Sequence, residues 1–287
     1  MIGTASVSEP SGERGLSGPD AGHGRKASSD RAEIPIGFVG AGSIARAVAR
    51  GWGRPILCTD GGSGRAAALV DEVGGRRVAS NGELVRSVGT VVLAHPVAQL
   101  PRVAAEIGDA VDGVTVVSLL AQVGVDQLRE ALPGAHVVRV LPTPGVEAGV
   151  GVTVLAAPPG VPANVLADVR GLFDRLGTTI VLPDGQLDAA TVAGSMFPAY
   201  LALVVEAQID AAIRVGLPEA EATELVLACL RSGVAHLDAL DGDTVRLRRN
   251  HSTPGGMTVR GLEALERAGV RAAFLAAATA AIGEPRR

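Results

Sequence analysis

Hydrophobic residues follow two different patterns along the chain. From Ile34 to about Pro183, short runs rich in valine and isoleucine alternate with stretches of helical spacing. This alternation is typical of βαβ units around a parallel sheet that is buried on both faces. After Gly185 the strand pattern stops and apolar residues recur at helical spacing only. The pattern therefore predicts a doubly wound α/β domain followed by an all-helical domain.

The same pattern places the individual elements. Strands are predicted at 36–39, 56–59, 90–94, 114–118, 137–141, 152–155 and 179–182, and helices at 43–52, 64–72, 97–107, 125–131 and 163–176. Three long helices are predicted at 188–215, 219–240 and 259–282.

The first long helix is apolar on nearly every face, with Leu201, Leu203, Val204, Val205, Ile209 and Ile213. A helix that is apolar all round is normally buried all round. Because about 100 residues of helix form only a thin domain, we expect a second subunit to cover this helix. The alternative is that the α/β domain covers it alone. The first interpretation predicts a homodimer through the helical domain.

Composition narrows the class of protein. The 287 residues are 47% apolar and carry a net charge of −4, with one Trp, one Tyr and four Phe. Without a basic surface or aromatic residues to stack on bases, nucleic acid is not an expected partner. The five histidines and two cysteines show no metal-binding spacing, so no metal is expected. Cys58 and Cys229 lie among apolar residues, which favours reduced core thiols and a cytoplasmic location.

Residues 1–33 contain few large aliphatic side chains and are expected to form a disordered tail. They lack the apolar stretch of a secretory signal, and no unbroken apolar run elsewhere reaches the length of a membrane span. The predicted organisation is therefore a tail at 1–33, a dinucleotide-binding domain at 34–184 and a helical domain at 185–287, with no membrane partner.

A glycine-rich turn follows the first predicted strand and opens a helix. It has the form Gly40-x-Gly42-x-x-Ala45. Gly40 permits a tight turn, Gly42 lets the backbone approach a pyrophosphate, and Ala45 lets the helix pack closely on the strand. Because the turn begins a βαβ series, it predicts a Rossmann-type dinucleotide site.

The residues after the second strand bear on the choice of cofactor. Asp60 lies about 20 residues after Gly40, where a carboxylate would accept from the ribose 2′-OH of NAD. Ser63 and Arg65 favour NADP, because a hydroxyl and a guanidinium can bind its 2′-phosphate. The balance slightly favours NAD, and either NADH or NADPH remains a candidate cofactor.

Five segments of the chain resemble the pyrroline-5-carboxylate reductases, in the family's order and approximate spacing. They are "IGFVGAGSIARAVARGW", "SNGELVRSVGTVVLAHP", "RVLPTPGVEAGVGVTVL", "FPAYLALVVEAQIDAAIRVGLPEAEA" and "STPGGMTVRGLEALERAGVRAAF". The resemblance covers about residues 34–284, and its most specific part is the last segment. It implies a Rossmann domain that binds NAD(P)H, a helical domain that interlocks with a partner subunit, and dimers that often assemble into larger rings.

The resemblance also implies roles for individual residues. The pyrophosphate would lie on Gly40, Ala41, Gly42, Ser43 and Ile44, the adenosine half near Asn81, and the nicotinamide beside Ala94, His95 and Pro96. The substrate carboxylate would bind the loop that contains Ser252, Thr253, Gly255, Gly256 and Thr258. In that loop, backbone N–H groups and hydroxyls form an anion cradle at the start of a helix. A plain interhelical loop with Thr258 as its N-cap is the alternative.

Reduction of a cyclic imine needs little from side chains beyond proximity and orientation. Thr258 matches the family's hydroxyl close to the imine nitrogen, and we expect it to orient the imine or to relay a proton from water. A related β-hydroxyacid dehydrogenase would need a lysine on the helix predicted at 188–215, which has none.

Several positions depart from the family pattern. His95 replaces a lysine, an asparagine is missing from Leu141-Pro142-Thr143-Pro144, and Met196, Phe197 and Met257 add apolar bulk. Phe197 is therefore expected beside the substrate. Three functions remain open: pyrroline-5-carboxylate reduction to proline, which we favour, reduction of another cyclic imine in a specialised pathway, and a catalytically impaired nucleotide-binding regulator.

Overall fold

The computed structural model describes residues 35–156 and 158–283. The tail predicted at 1–33 lies outside these residues. Eight strands form one sheet: β1 Ile36–Val39, β2 Ile56–Thr59, β3 Gly75–Arg77, β4 Thr90–Leu93, β5 Thr115–Ser118, β6 His136–Pro142, β7 Gly151–Ala156 and β8 Gly177–Leu182. Their spatial order is β3-β2-β1-β4-β5-β6-β7-β8. Adjacent strands are parallel except β6 and β7, which pair antiparallel.

Six helices belong to this sheet: α1 Ser43–Trp52, α2 Arg65–Val73, α3 Asn81–Arg86, α4 Leu100–Ile107, α5 Val125–Ala131 and α6 Ala163–Asp174. Two separate apolar clusters show that helices cover both faces. One joins the sheet to α1, α2 and α6 around Phe38, Trp52 and Phe173, and the other joins it to α3, α4 and α5 around Leu84 and Leu128. The strands read as continuous apolar runs because both of their faces are buried.

Six further helices follow β8: α7 Leu187–Ala190, α8 Phe197–Arg214, α9 Glu219–Asp238, α10 Thr244–Asn250, α11 Met257–Arg267 and α12 Val270–Ile282. The predicted fold class, a mostly parallel doubly wound sheet followed by a helical region, is confirmed. The domain boundary at 184/185 stays a prediction.

The sequence-based assignment missed three elements and was wrong about two long helices. The edge strand β3 and the short helices α3 and α10 were missed because they have too few residues for a clear apolar period. The helix predicted at 188–215 is interrupted by a π-helical turn at Thr191–Ser195, and α8 begins just before Pro198, which has no N–H to continue the helical ladder. The helix predicted at 259–282 is divided at Gly269, whose φ of +79° ends a right-handed helix.

The expectation for Cys229 was also wrong. Cys58 is buried in β2, and desolvation together with the charge of Asp60 raises its pKa to about 12. Cys229 instead lies on an exposed face of α9 in the single chain.

Among the described residues, one helical stretch, Asp184–Arg214, is long and apolar enough to cross a membrane, judged by length and composition alone. The sequence analysis expected no run of that length. Glu206 and Asp210 lie in its C-terminal half, and carboxylates inside a bilayer are costly. The core helix of a water-soluble oligomer meets the same criteria of length and hydropathy, so this stretch is weak evidence for a membrane anchor.

A buried ion pair connects the sheet to the start of this stretch. Arg139 of β6 is 7% exposed at its side chain and donates from Nη1 to Oδ1 of Asp184 at 2.9 Å. The pair therefore fixes where the chain leaves the sheet.

We expect Asp184→Asn to lower the free energy of unfolding by roughly 1–3 kcal/mol, because it leaves a buried guanidinium without its counter-charge. The measurement is urea unfolding at fixed protein concentration. Asp174→Asn is the matched control, since it breaks the exposed pair of Arg170 and Asp174 and should cost less than about 1 kcal/mol. Equal effects of the two substitutions would contradict this prediction.

Candidate dinucleotide and substrate site

A cavity of about 670 Å³ opens at the carboxyl ends of β1, β2 and β4. The Gly40 N–H donates to the Thr59 carbonyl and the Ala94 N–H to the Val39 carbonyl, both at 2.9 Å. These bonds extend the sheet just past its strands. The strand order reverses at β1, and such switch points are where open α/β sheets bind ligands.

The glycine turn forms one wall of the cavity. Gly40 has a φ of +105°, and a Cβ on it would lie 2.6 Å from the Ala94 carbonyl oxygen. The fold itself therefore requires glycine here. Gly42 has an ordinary φ of −72°, and a Cβ on it would meet only the Ala94 oxygen at 3.8 Å. Nothing in the described residues prevents a side chain at Gly42, so its absence leaves room for a ligand at the backbone.

The N-terminus of α1 lies at the same wall. Gly42 is its N-cap, and among the described residues no side chain caps it. The uncapped N–H groups and the helix dipole favour an anion such as a pyrophosphate. Gly40, Ala41 and Gly42 line the cavity, and Ser43 and Ile44 form the first turn of α1. The residues present thus fit the diphosphate of a dinucleotide.

Asp60 and Ser63 also line the cavity, but the carboxylate is already occupied. Its Oδ1 accepts from the Gly62 N–H at 3.0 Å, and its Oδ2 accepts from the Ser63 hydroxyl at 2.9 Å and the Ala66 N–H at 3.0 Å. Desolvation opposes ionisation of Asp60, and these hydrogen bonds outweigh it and lower its pKa. The Asp60 carboxylate therefore holds the turn before α2 in shape, in addition to facing the cavity.

Asn81 lies in a chain of buried hydrogen bonds at this end. Its Oδ1 accepts from the Thr59 hydroxyl at 2.6 Å, and its Nδ2 donates to Oε2 of Glu106 at 2.5 Å. Asn81 is the first residue of α3, whose N-cap is Ser80. Its amide thus connects β2 to α4 as well as lining the cavity.

Residues of α4, and Gln99 directly before it, line the cavity but were not predicted from the sequence. Gln99, Arg102, Val103 and Glu106 line the cavity from the side opposite the turn before α2. In the sequence, Arg102 and Glu106 look like an ordinary solvent-exposed i,i+4 pair. No local signal in the sequence distinguishes them from other such pairs.

His95 is buried at the cavity wall next to Ala94 and Pro96, which line it too. Its Nδ1 is 2.9 Å from the Pro96 carbonyl oxygen, so Nδ1 carries the proton and donates. Nε2 is buried without a partner among the described residues. Burial lowers the pKa of His95, the hydrogen bond to the Pro96 carbonyl partly opposes this, and the charge of Arg102 lowers the pKa further. A neutral ring with an acceptor at Nε2 therefore lies at the expected nicotinamide end.

The predicted carboxylate loop lies in the helical region. The Gly256 N–H donates to the Thr253 carbonyl at 2.9 Å, and Gly255 has a φ of +68°. A Cβ on Gly256 would lie 2.3 Å from the Thr253 hydroxyl oxygen, so a larger residue here would require the Thr253 side chain to move. Directly before the loop, Nε2 of His251 is 3.2 Å from Nδ1 of His236 on α9.

The expected helix start was wrong in this loop. Helix α11 begins at Met257, with Gly256 as its N-cap, so Thr258 lies in its first turn. The backbone of Gly256 takes the capping position, and a helix can begin there because its extended φ and ψ suit an N-cap.

The single chain does not bring the two sets of predicted residues together. The cavity lining contains no residue after Glu106, and Thr253, Gly255, Thr258 and the half-exposed Phe197 face outward. Ser252 and Gly256 are partly buried. The roles predicted for the substrate loop therefore stay predictions.

The sheet, the glycine turn and the cavity together define a Rossmann-type dinucleotide-binding protein. Comparison with known proteins gives the family. A family model described as NADP oxidoreductase coenzyme F420-dependent matches residues 35–122, and one described as Pyrroline-5-carboxylate reductase dimerisation matches residues 184–286.

Relatives of known name agree with the second of these models. The pyrroline-5-carboxylate reductase of Mycobacterium tuberculosis (strain ATCC 25618 / H37Rv) is 32% identical over 229 residues, which are 71% of this chain and 78% of the relative. Pyrroline-5-carboxylate reductase 3 of Macaca fascicularis is 31% identical over 255 residues, 86% of this chain and 93% of the relative. The chain belongs to the pyrroline-5-carboxylate reductase family, as its sequence predicted.

Solved structures share the fold. The crystal structure of Plasmodium falciparum pyrroline carboxylate reductase with NADP bound has a TM-score of 0.79 at 23% identity and covers 88% of this chain and 99% of that one. The pyrroline-5-carboxylate reductase of Coxiella burnetii has a TM-score of 0.78 at 24% identity, with 87% and 96% covered.

The two glycines should respond differently to substitution. Gly40→Ala should destabilise the protein by at least about 2 kcal/mol, because of its φ and its contact with Ala94. Gly42→Ala should stay within about 1 kcal/mol of wild type in thermal unfolding but bind NAD⁺ and NADP⁺ at least about tenfold more weakly by calorimetry. Unchanged binding by Gly42→Ala would refute the assignment of this wall to the pyrophosphate.

Proposed function

We propose that this protein reduces pyrroline-5-carboxylate to proline with NADPH or NADH. The observation that carries the proposal is the cavity at the strand switch point, where Gly42 and the uncapped α1 leave room for a diphosphate in a chain of this family. When bound, a reduced nicotinamide supplies hydride to the carbon of the substrate C=N bond. The chain supplies binding sites, orientation and a route for the proton.

In this proposal, residues of the sheet hold the cofactor. The turn at Gly40 and the N-terminus of α1 hold the pyrophosphate, and the turn organised by Asp60 holds the adenosine ribose. The neutral His95, with its acceptor at Nε2, faces the nicotinamide half and does not bring a positive charge there. A neutral group suits a cavity in which a protonated imine must be accommodated.

The loop before α11 holds the substrate carboxylate in this proposal. Its support is the tight Thr253–Gly256 turn, which leads directly into an 11-residue helix whose N-cap is a glycine. Arg260 adds to it by donating from Nη1 to the Gly255 carbonyl at 2.6 Å, which holds that carbonyl in place. The Thr258 hydroxyl, one residue into the helix, orients the imine nitrogen or relays a proton to it from water.

The helical region from 185 onward is proposed to form a homodimer. No residue of α8 is buried in the described chain, although the helix is strongly apolar. Exposed apolar side chains continue onto α9 and α12, including Leu225, Val234, Phe274 and Leu275. An apolar surface of this extent is typical of an obligate interface. A partner subunit would cover it and would bring a substrate loop towards a cofactor cavity.

The proposal also covers the location of the protein, its domain boundary and its higher assembly. We place the protein in the cytoplasm, because an exposed free thiol at Cys229 is suited to a reducing compartment. We also propose that the division into a dinucleotide domain and a helical domain falls at 184/185, directly after β8. Association of dimers into larger rings is a further expectation that light scattering tests.

The enzymatic test mixes the protein with pyrroline-5-carboxylate and either NADPH or NADH, and measures the fall in absorbance of the reduced nicotinamide. Thr258→Val should lower kcat by roughly tenfold to a hundredfold, because it removes the hydroxyl and keeps the shape. Thr258→Ser, which keeps a hydroxyl, should retain most of the wild-type rate.

Wild-type kcat in Thr258→Val would show that this hydroxyl is not used. No turnover of pyrroline-5-carboxylate by the wild-type protein with either cofactor would refute the proline reaction. Turnover of another cyclic imine in the same assay would then favour the alternative reductase, and cofactor binding without any turnover would favour a regulator.

The dimer predicts a second outcome. Leu203 on α8 is 67% exposed in the single chain, so Leu203→Glu should abolish the dimer in size-exclusion chromatography with light scattering, because it places a charge in the apolar interface. Val150, 76% exposed in the loop before β7, provides the control Val150→Glu, which should remain dimeric. A dimeric Leu203→Glu protein would place the interface elsewhere.

A further inference from the structure

Arg102 lies across the cavity from the turn before α2. Its Nη2 atom is 3.9 Å from the position that a Cβ would take on Gly61. Gly61, Ser63 and Arg65 line the same end of the cavity. Two arginines from different elements, Arg65 on α2 and Arg102 on α4, therefore line the ribose end of the cavity.

The carboxylate that would disfavour a phosphate at this end is already engaged. Asp60 accepts three hydrogen bonds from its own turn, which stabilise its ionised form and hold its oxygens towards that turn. With three of its about four acceptor positions used in this way, the Asp60 carboxylate has little capacity left for a ribose 2′-OH. Asp60 thus acts mainly as a structural residue of the turn.

Arg102 retains donors for a ligand. Its contacts are long: Nη2 is 3.3 Å from Oε1 of Gln99, and Nε is 3.8 Å from Oε1 of Glu106. The other Glu106 oxygen is bound by Asn81 at 2.5 Å, which holds the carboxylate in place. A guanidinium has five donors in a planar fork that matches phosphate. Glu106 therefore positions Arg102 without using up its hydrogen bonds.

We infer that Arg102, together with Arg65, binds the 2′-phosphate of NADPH and makes this protein prefer NADPH to NADH. The inference rests on the proposed dinucleotide function and reverses the slight preference for NAD drawn from Asp60 in the sequence. It assigns cofactor choice to α4, outside the turn after β2 where the sequence placed it.

The test is calorimetric binding of NADP⁺, NAD⁺ and 2′,5′-ADP to the full chain. Arg102→Gln should weaken the binding of NADP⁺ and 2′,5′-ADP by roughly tenfold to a hundredfold and change the affinity for NAD⁺ by no more than about twofold. Arg102→Lys should lose less NADP⁺ affinity than Arg102→Gln, because lysine keeps the positive charge but not the planar set of guanidinium donors. In wild type, NADP⁺ affinity should fall more steeply with salt than NAD⁺ affinity, and Arg102→Gln should reduce that difference.

Arg170→Gln is the matched control. Arg170 is as exposed as Arg102, at 55% against 58%, and also pairs with an i+4 carboxylate, but it does not line the cavity. Its substitution should leave the binding of both coenzymes unchanged. Thermal unfolding of each variant verifies that it is folded.

Three results would overturn the inference. Equal weakening of NAD⁺ and NADP⁺ by Arg102→Gln would mean that Arg102 stacks on the adenine. Tighter binding of NAD⁺ than NADP⁺ by the wild type would show the opposite preference while leaving the dinucleotide function intact. Binding of neither coenzyme would overturn the inference and the proposed function together.

Discussion

The close approach of Gly40 to the Ala94 carbonyl is the constraint on which the rest of the site depends. At this point β1 and β4 end side by side, and a Cβ on Gly40 would lie 2.6 Å from the Ala94 oxygen. Because the two backbones meet without side chains between them, the turn into α1 can be tight and the helix N-terminus can face the cavity. The same contact places Ala94 and His95 beside the glycine turn at the cavity wall. Cofactor binding and the position of the nicotinamide end are therefore both tied to one backbone contact.

At the other end of the cavity, the carboxylates and the guanidinium groups have different roles. Asp60 and Glu106 are both carboxylates at the cavity edge, yet each is held by donors from the protein, Asp60 by its own turn and Glu106 by Asn81. Carboxylates satisfied in this way organise the wall, and the nearby guanidinium groups of Arg65 and Arg102 carry the recognition of an anion. This end of the cavity thus has two carboxylates and two guanidinium groups, and its free hydrogen-bonding capacity lies mainly with the guanidinium donors.

The helical region differs from the sheet in that the single chain does not complete it. Both faces of the sheet are covered by helices of the same chain, which gives two closed apolar clusters. The helices after β8 have only Ala222, Leu187 and Ala190 as buried apolar residues among those described. A folded chain cannot leave so much apolar surface in water without a large cost in free energy, and this cost is the physical reason for a partner subunit.

The sequence by itself determined the fold class, the positions of seven of the eight strands, the glycine turn and the family, because each of these is expressed in residues close together along the chain. Strand β1 and helix α1 were predicted at their observed residues, since a buried parallel strand and an amphipathic helix each have a distinct apolar period. Only the tertiary structure decided that the Asp60 carboxylate is engaged by its own turn, that Arg102 reaches Gly61, and that Cys229 is exposed. These features depend on which helix lies across the cavity and on which surface another chain must cover, and contacts between residues far apart in sequence leave no local pattern.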